Sequence, residues 1–265
     1  MLLPQKNNEH KSNLRSIRSI YEEVWNSDIV KKLRYSVLHG NFEYCNIAYC
    51  NMLKNPPAYE KIMLPRNEAQ HISKYEKWQD CHLETTPTQI HLACDTSCNM
   101  HCASCRDKVH VNSDAENEKL THLLENFVRP ALGDCTLLSC LGSGEFFASK
   151  PISNFYQSLS KNIYPALKLV FLSNGTLFTP ERWEKLSNLK GMVEKIAISI
   201  DAASKDTYES LRRGGQWEPL CRNLEYISSL RKTNYILSSP KVKKAEKITC
   251  RKKGNTNKPI AVDKK

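Results

Sequence analysis

The sequence predicts an α/β fold built on a parallel sheet. After Pro87, short apolar segments of strand length alternate four times with segments of helical period. The chain between successive strands is long enough for a helical crossover, which parallel pairing requires. With 265 residues, 40% of them hydrophobic, the chain can also bury a substantial core.

The elements follow in order. Between residues 13 and 39 the apolar positions Leu14, Ile17, Ile20, Tyr21, Val24, Val30, Leu33 and Val37 recur at roughly helical spacing and break near Asn26-Ser27-Asp28. This predicts two short helices, the second capped by Ser27 and Asp28 and ended by Gly40. A segment carrying Cys45 and Cys50 comes next, then a loop marked by Pro56-Pro57 and Pro65. Residues 88–94 suit a strand in which Cys94 packs as a small apolar residue. Residues 114–128 suit a helix with Leu120, Leu123, Leu124 and Phe127 inward, and 135–141 a second strand. Residues 152–163 then read as helix, 167–172 as strand, 180–189 as helix and 193–200 as strand. Residues 206–232 are mostly helical with a break at Gly214-Gly215, and Tyr235-Ile236-Leu237 begins a possible fifth strand. The expected organisation is a helical, cysteine-bearing extension over 1–86, a core over 87–239 and a disordered basic tail over 240–265.

The net charge of +11 is concentrated at one end. Residues 241–265 hold ten Lys or Arg against two acids, leaving +3 for the rest of the chain. A solvated basic tail accounts for this better than a folded polyanion-binding face, which argues against a nucleic-acid partner. No run of about 18 apolar residues occurs, which argues against a membrane-spanning helix. Eleven cysteines without an apolar signal-peptide core near Leu2-Leu3-Pro4 fit a reducing cytoplasm better than a disulfide framework.

The cysteines that carry chemistry are Cys98, Cys102 and Cys105, at C-x3-C-x2-C spacing in the loop after the first predicted strand. Three close thiolates can hold three corners of a 4Fe-4S cube and leave one iron open. Zinc is the alternative, with Cys94 closing a four-thiolate site, although structural zinc usually pairs two knuckles across a longer span. His101 lies inside the loop, where it shields the metal or hydrogen-bonds its sulfurs. Cys135, Cys140 and Cys221 lack ligand spacing and read as core residues. Three further segments follow strands: Gly142-Ser143-Gly144-Glu145, Ser173-Asn174-Gly175 and Ser199-Ile200-Asp201. Each is also explicable as an ordinary turn or cap, with Ser204 better placed than Asp201 to cap the next helix. Arg212 and Arg213 suit either pairing with a carboxylate or a solvated helix end.

The stretch CNMHCASCR, followed by LGSGE and ISIDA, resembles the radical S-adenosylmethionine (radical SAM) superfamily over roughly residues 87–231. The resemblance implies a partial (βα) barrel, here incomplete: two of six units are missing or incomplete, and the core reads as truncated at its C-terminal end. It implies a 4Fe-4S cluster on Cys98, Cys102 and Cys105. It also implies S-adenosyl-L-methionine bound by Gly142, Ser143, Gly144, Glu145, Asn174, Ser199 and Asp201, with Glu145 as an acceptor for the methionyl amine. The implied activity is reductive cleavage to a 5′-deoxyadenosyl radical that abstracts hydrogen from a peptide, protein or small-molecule substrate, with ferredoxin or flavodoxin as reductant. Trp25-Asn26, Leu33-Arg34, Gly40 and Tyr44-Cys45 resemble the SPASM extension, which implies an auxiliary iron-sulfur cluster on Cys45 and Cys50, with Cys81 as a possible third ligand; a structural cysteine pair is the equal alternative for Cys45 and Cys50. A truncated, non-catalytic iron-sulfur or zinc scaffold is the competing expectation.

Overall fold

A computed structural model describes residues 23–46, 48–54, 75–140 and 142–230. The helix expected before residue 23, the proline loop, the possible strand at Tyr235 and the basic tail lie outside them. The chain divides into two compact units, Met1–Thr85 and Thr86–Lys265.

In the first unit, helix α1 (Asp28–Leu38) begins after Ser27 and ends near Gly40, whose φ of +70° is the left-handed conformation glycine adopts at little cost. Ser27 occupies the cap position, but its side chain makes no capping bond. A latch of polar contacts ties α1 to a 3-10 turn over Trp78–Cys81. Arg34 donates to Asn26 Oδ1 and to the Cys81 carbonyl at 3.1 Å each, and its guanidinium stacks 4.3 Å from the Trp25 ring centroid. Asn26 exchanges two 2.9 Å bonds with the Leu83 backbone. A short helix, α2 (Asn51–Lys54), follows Cys50.

The second unit is built on four parallel strands in sequential order: β1 (Gln89–Leu92), β2 (Leu137–Cys140), β3 (Lys168–Ser173) and β4 (Val193–Ile198). Between β1 and β2 run α3 (Asp114–Leu123), a π turn over Leu124–Val128 and α4 (Arg129–Ala131). Helix α5 (Lys150–Gln157) connects β2 to β3, and α6 (Pro180–Glu184) connects β3 to β4. Helices α7 (Lys205–Leu211) and α8 (Trp217–Leu230) follow β4. This is the α/β partial barrel that the alternation and the resemblance predicted, with four strands among the described residues.

Burial explains the arrangement. Along β3, Leu169, Phe171 and Ser173 are buried while Lys168, Val170 and Leu172 are half-buried, the period of two expected of a strand with one covered face. Phe171 packs edge-on against Phe146 and Trp183, and Trp183 stacks on Phe178, so the main core sits between the sheet and its helices. Aromatic pairs of this kind add about 0.5–1.5 kcal/mol beyond their buried area. Cys135 and Cys140 belong to this core, as expected. A second cluster of Met100, Ile200, Tyr208, Trp217, Leu220, Cys221 and Leu224 lies under the cysteine loop and against α7 and α8.

Several boundaries differ from expectation for local reasons. Strand β1 stops at Leu92, and Cys94 is exposed rather than packed in the sheet. Ser143 Oγ takes the Ala93 and Asp95 carbonyls at 2.9 and 3.0 Å, diverting that backbone from the ladder. In the helical stretch after Ser113, Leu120, Leu124 and Val128 face inward at a spacing of four, Leu123 is exposed and Phe127 is only partly covered; beyond Leu124 the π turn inserts a residue and rotates the buried stripe. Helix α5 starts early because Ser149 caps it, accepting from Ile152 N at 3.2 Å. Ser204 occupies the cap position of α7, but its hydroxyl bonds Thr207 Oγ1 instead of the helix backbone.

Candidate functional site

The cysteine loop leaves the C-terminal end of β1, where parallel barrels gather functional groups. Its first part is pinned from two sides, by the segment at residues 110–112 and by the segment after β2. Cys98 N donates to His110 O at 2.8 Å, Asn112 N donates to Ser97 Oγ at 3.1 Å, and Glu145 N reaches the Ser97 carbonyl at 2.7 Å. Its second part is held by the end of α7: His101 N and Ala103 N donate to the carbonyls of Arg213 and Leu211 at 3.0 and 3.1 Å. Met100 is buried in the second core and anchors the loop between Cys98 and Cys102.

The segment after β2 lies directly against this loop. At Gly144 an added Cβ would stand 2.5 Å from the Ser97 carbonyl and 2.7 Å from the Asp95 carbonyl, so this close backbone approach excludes any side chain. Arg106, one residue past Cys105, clamps the two segments by donating to the Ser143 carbonyl at 2.5 Å and to the Thr96 carbonyl. Glu145 is 2% exposed. Its carboxylate accepts from Ser173 Oγ at 2.7 Å and Asn174 N at 2.6 Å, and it caps the turn at Phe146–Ala148. Burial pushes the Glu145 carboxyl above its usual range despite these donors and the positive charge of Arg182. The carboxylate expected to meet a ligand amine is thus committed to fixing the end of β3.

That end is ordered from both sides. Asn223 of α8 donates to the Gly175 and Thr176 carbonyls at 2.8 and 2.9 Å, and Gly175 has φ of +79°. Asn174, 7% exposed, directs Nδ2 toward Asn99 Oδ1 at 3.0 Å and toward Cys98 Sγ at 3.9 Å. After β4 the strand geometry ends at Ile198, and Asp201 adopts φ of +63°. The strand therefore ends two residues short of the expected 193–200, and Asp201 lies outside it. Asp201 instead pairs with Arg212 at 2.6 Å, and Arg212 Nη1 lies 3.7 Å from Cys102 Sγ.

These segments enclose one cleft of roughly 640 Å³, part of it open to solvent. All three loop cysteines line it, together with Gly142, Ser143, Gly144, Glu145, Asn174, Ser199 and Asp201. The structure thus brings together every residue of the predicted site. Sequence reasoning missed Arg106, Met100 and Asn99, and left Arg212 undecided. Cys94 lines a separate small recess, so the proposed fourth thiolate does not join the other three. His101 takes no thiol partner among the described residues, and its Nδ1 is buried and unpaired there. In the first unit, Cys45 and Cys50 are half-buried free thiols, whereas Cys81 is buried.

The donor set fits a cluster. Burial pushes the Cys98 thiol up, partly offset by the Met100 amide, so metal binding must supply the energy to form its thiolate. All three loop thiols line the one cleft, and soft thiolate ligands are what an iron-sulfur cluster takes.

A family described as the Radical SAM superfamily matches residues 92–242, more than half of the chain. The chain belongs to the radical SAM superfamily. Membership implies S-adenosylmethionine and a 4Fe-4S cluster as cofactors. An AdoMet-dependent heme synthase from Methanosarcina barkeri (strain Fusaro / DSM 804) is 27% identical over 154 residues, 58% of this chain and 42% of that protein. The chain therefore spans less than half the length of that curated relative. Among solved structures, SuiB of Streptococcus suis bound to S-adenosylmethionine is 15% identical, covering 86% of this chain and 48% of its own, with a TM-score of 0.40. BtrN in complex with AdoMet and 2-DOIA is 19% identical, covering 44% and 46%, with a TM-score of 0.30. No helix among the described residues is long and apolar enough to cross a membrane.

Proposed function

We propose that this chain is a cytoplasmic radical SAM enzyme in which Cys98, Cys102 and Cys105 hold a 4Fe-4S cluster with one iron left for S-adenosylmethionine. The observation that carries the reading is the single cleft shared by the three thiols, the Gly142–Glu145 segment and the polar groups at the ends of β3 and β4. A cluster held by these cysteines would supply one-electron reductive chemistry to S-adenosylmethionine, the electron coming from a ferredoxin- or flavodoxin-type donor, with methionine released and a 5′-deoxyadenosyl radical left to take hydrogen from substrate.

The chain's own residues hold and orient. Gly144 lets the segment after β2 lie directly against the cysteine loop, and Glu145 fixes Asn174, whose side-chain amide faces the cleft. Ser143, Ser199 and Asp201 supply polar contacts along the same wall. Met100, Tyr208 and Trp217 close the apolar floor against water. Residues 1–86 form a SPASM-like extension, with Cys45 and Cys50 as ligands of an auxiliary cluster; that extension supports a peptide or protein substrate over a small molecule. The core occupies 87–239 and the basic tail 240–265.

Anaerobic reconstitution with iron and sulfide, followed by dithionite and S-adenosylmethionine, tests the activity. The expected product is 5′-deoxyadenosine, at least tenfold less of it from C98A, C102A or C105A. A chain that holds the cluster but yields no cleavage product is a scaffold.

A further inference from the structure

Helix α7 ends against the cysteine loop and delivers a cation to one thiol. The turn after it is glycine-dependent: Gly214 has φ of +86°, and a Cβ on Gly215 would stand 2.7 Å from Met100 Cε and 2.8 Å from Tyr208 Oη. This turn holds the Arg212 side chain at 13% exposure, with Nη1 3.7 Å from Cys102 Sγ and Nη2 2.6 Å from Asp201 Oδ2. Asp201 stands on the outer side of the pair, 55% exposed. The other arginine of the site, Arg106, is committed to two backbone carbonyls, and the donor facing Cys98, Asn174, is neutral. Arg212 is thus the charged donor directed at a loop sulfur among the described residues.

We propose that the Asp201–Arg212 pair sets the reduction potential of the cluster, Arg212 acting as a positioning residue that donates to the Cys102 sulfur and Asp201 as the counter-charge that attenuates it. This rests on the cluster reading above. Reduction adds one electron from a low-potential one-electron donor; no bond forms or breaks and no proton moves. A cation beside a ligand sulfur stabilises the more negative, reduced state more than the oxidised one. A carboxylate on that cation opposes the effect. Removing the cation and removing the carboxylate charge must therefore move the potential in opposite directions, whereas a solvated helix end would move it in neither.

The test is an anaerobic redox titration of the reconstituted full chain, followed by electron paramagnetic resonance without S-adenosylmethionine. R212Q is expected to shift the oxidised-to-reduced equilibrium about tenfold toward the oxidised form, which is about 59 mV lower for a one-electron couple. D201N is expected to shift it upward, and R212K to fall between R212Q and the unsubstituted chain. Potentials unchanged in both R212Q and D201N, or moved in the same direction, overturn the proposal. If R212Q takes up no iron, D201N keeps the arginine and decides the matter alone: an upward shift supports the pair, and no shift overturns it. Iron and sulfide analysis of the unsubstituted chain separates the two levels, since absence of a cluster there defeats the functional reading itself.

Discussion

Glu145 is where the chemistry of a single residue departs furthest from its surface counterpart. Its carboxyl is buried, and burial raises it above the ordinary value of 4.5 even with three donors around it. The folded chain therefore holds this proton more tightly than the unfolded chain does. The stabilisation it contributes is fully present below about pH 4.5 and is lost as pH rises through the folded value. E145Q cannot titrate, so its stability relative to the unsubstituted protein should improve steadily as pH is raised from below 4.5 toward neutrality. Urea denaturation across that range measures the slope, and a difference independent of pH contradicts the assignment. The same residue marks a limit of sequence reading. The Gly-Ser-Gly-Glu segment was recognisable, but its carboxylate's attachment to Ser173 and Asn174 depends on two strand ends meeting, which local pattern does not encode.

At the level of elements, helix α3 shows local sequence deciding a boundary. Ser113 and Glu116 form a reciprocal capping box: Glu116 accepts from Ser113 N at 2.7 Å while Ser113 Oγ accepts from Glu116 N at 3.4 Å. S113A should cost about 0.5–2 kcal/mol. Thermal unfolding should record this as a lower midpoint with the sheet intact, and no change would show the cap to be redundant. Order and type of elements were readable because strand-length apolar runs and helical runs alternate after Pro87. Ends were less readable where a tertiary contact set them. Ser143 halts β1 two residues early, the π turn redirects the stripe past Leu124, and β4 ends at Ile198, short of the expected 200 and before the left-handed Asp201. Cysteine spacing made the ligand loop legible on its own. Arg212 was not, since its partner sulfur is 110 residues away and is reached only after α7 has packed on the loop.

Across the whole molecule, four strand ends and one cysteine loop converge on a cleft whose walls come from every βα unit described. The main core holds the sheet against α3, α5 and α6, and the second core holds the cysteine loop against α7 and α8. Folding and site assembly are therefore coupled, because the loop has few contacts of its own and depends on neighbours from both ends of the unit. The central claim is that three thiolates of this loop bind a cluster and leave one iron for an external ligand. Electron paramagnetic resonance of the dithionite-reduced, reconstituted chain with and without S-adenosylmethionine addresses it directly. The expected result is a 4Fe-4S signal whose shape changes on adding S-adenosylmethionine and that is lost in C98A, C102A and C105A alike. A signal indifferent to S-adenosylmethionine, or zinc in place of iron at these cysteines, would contradict it.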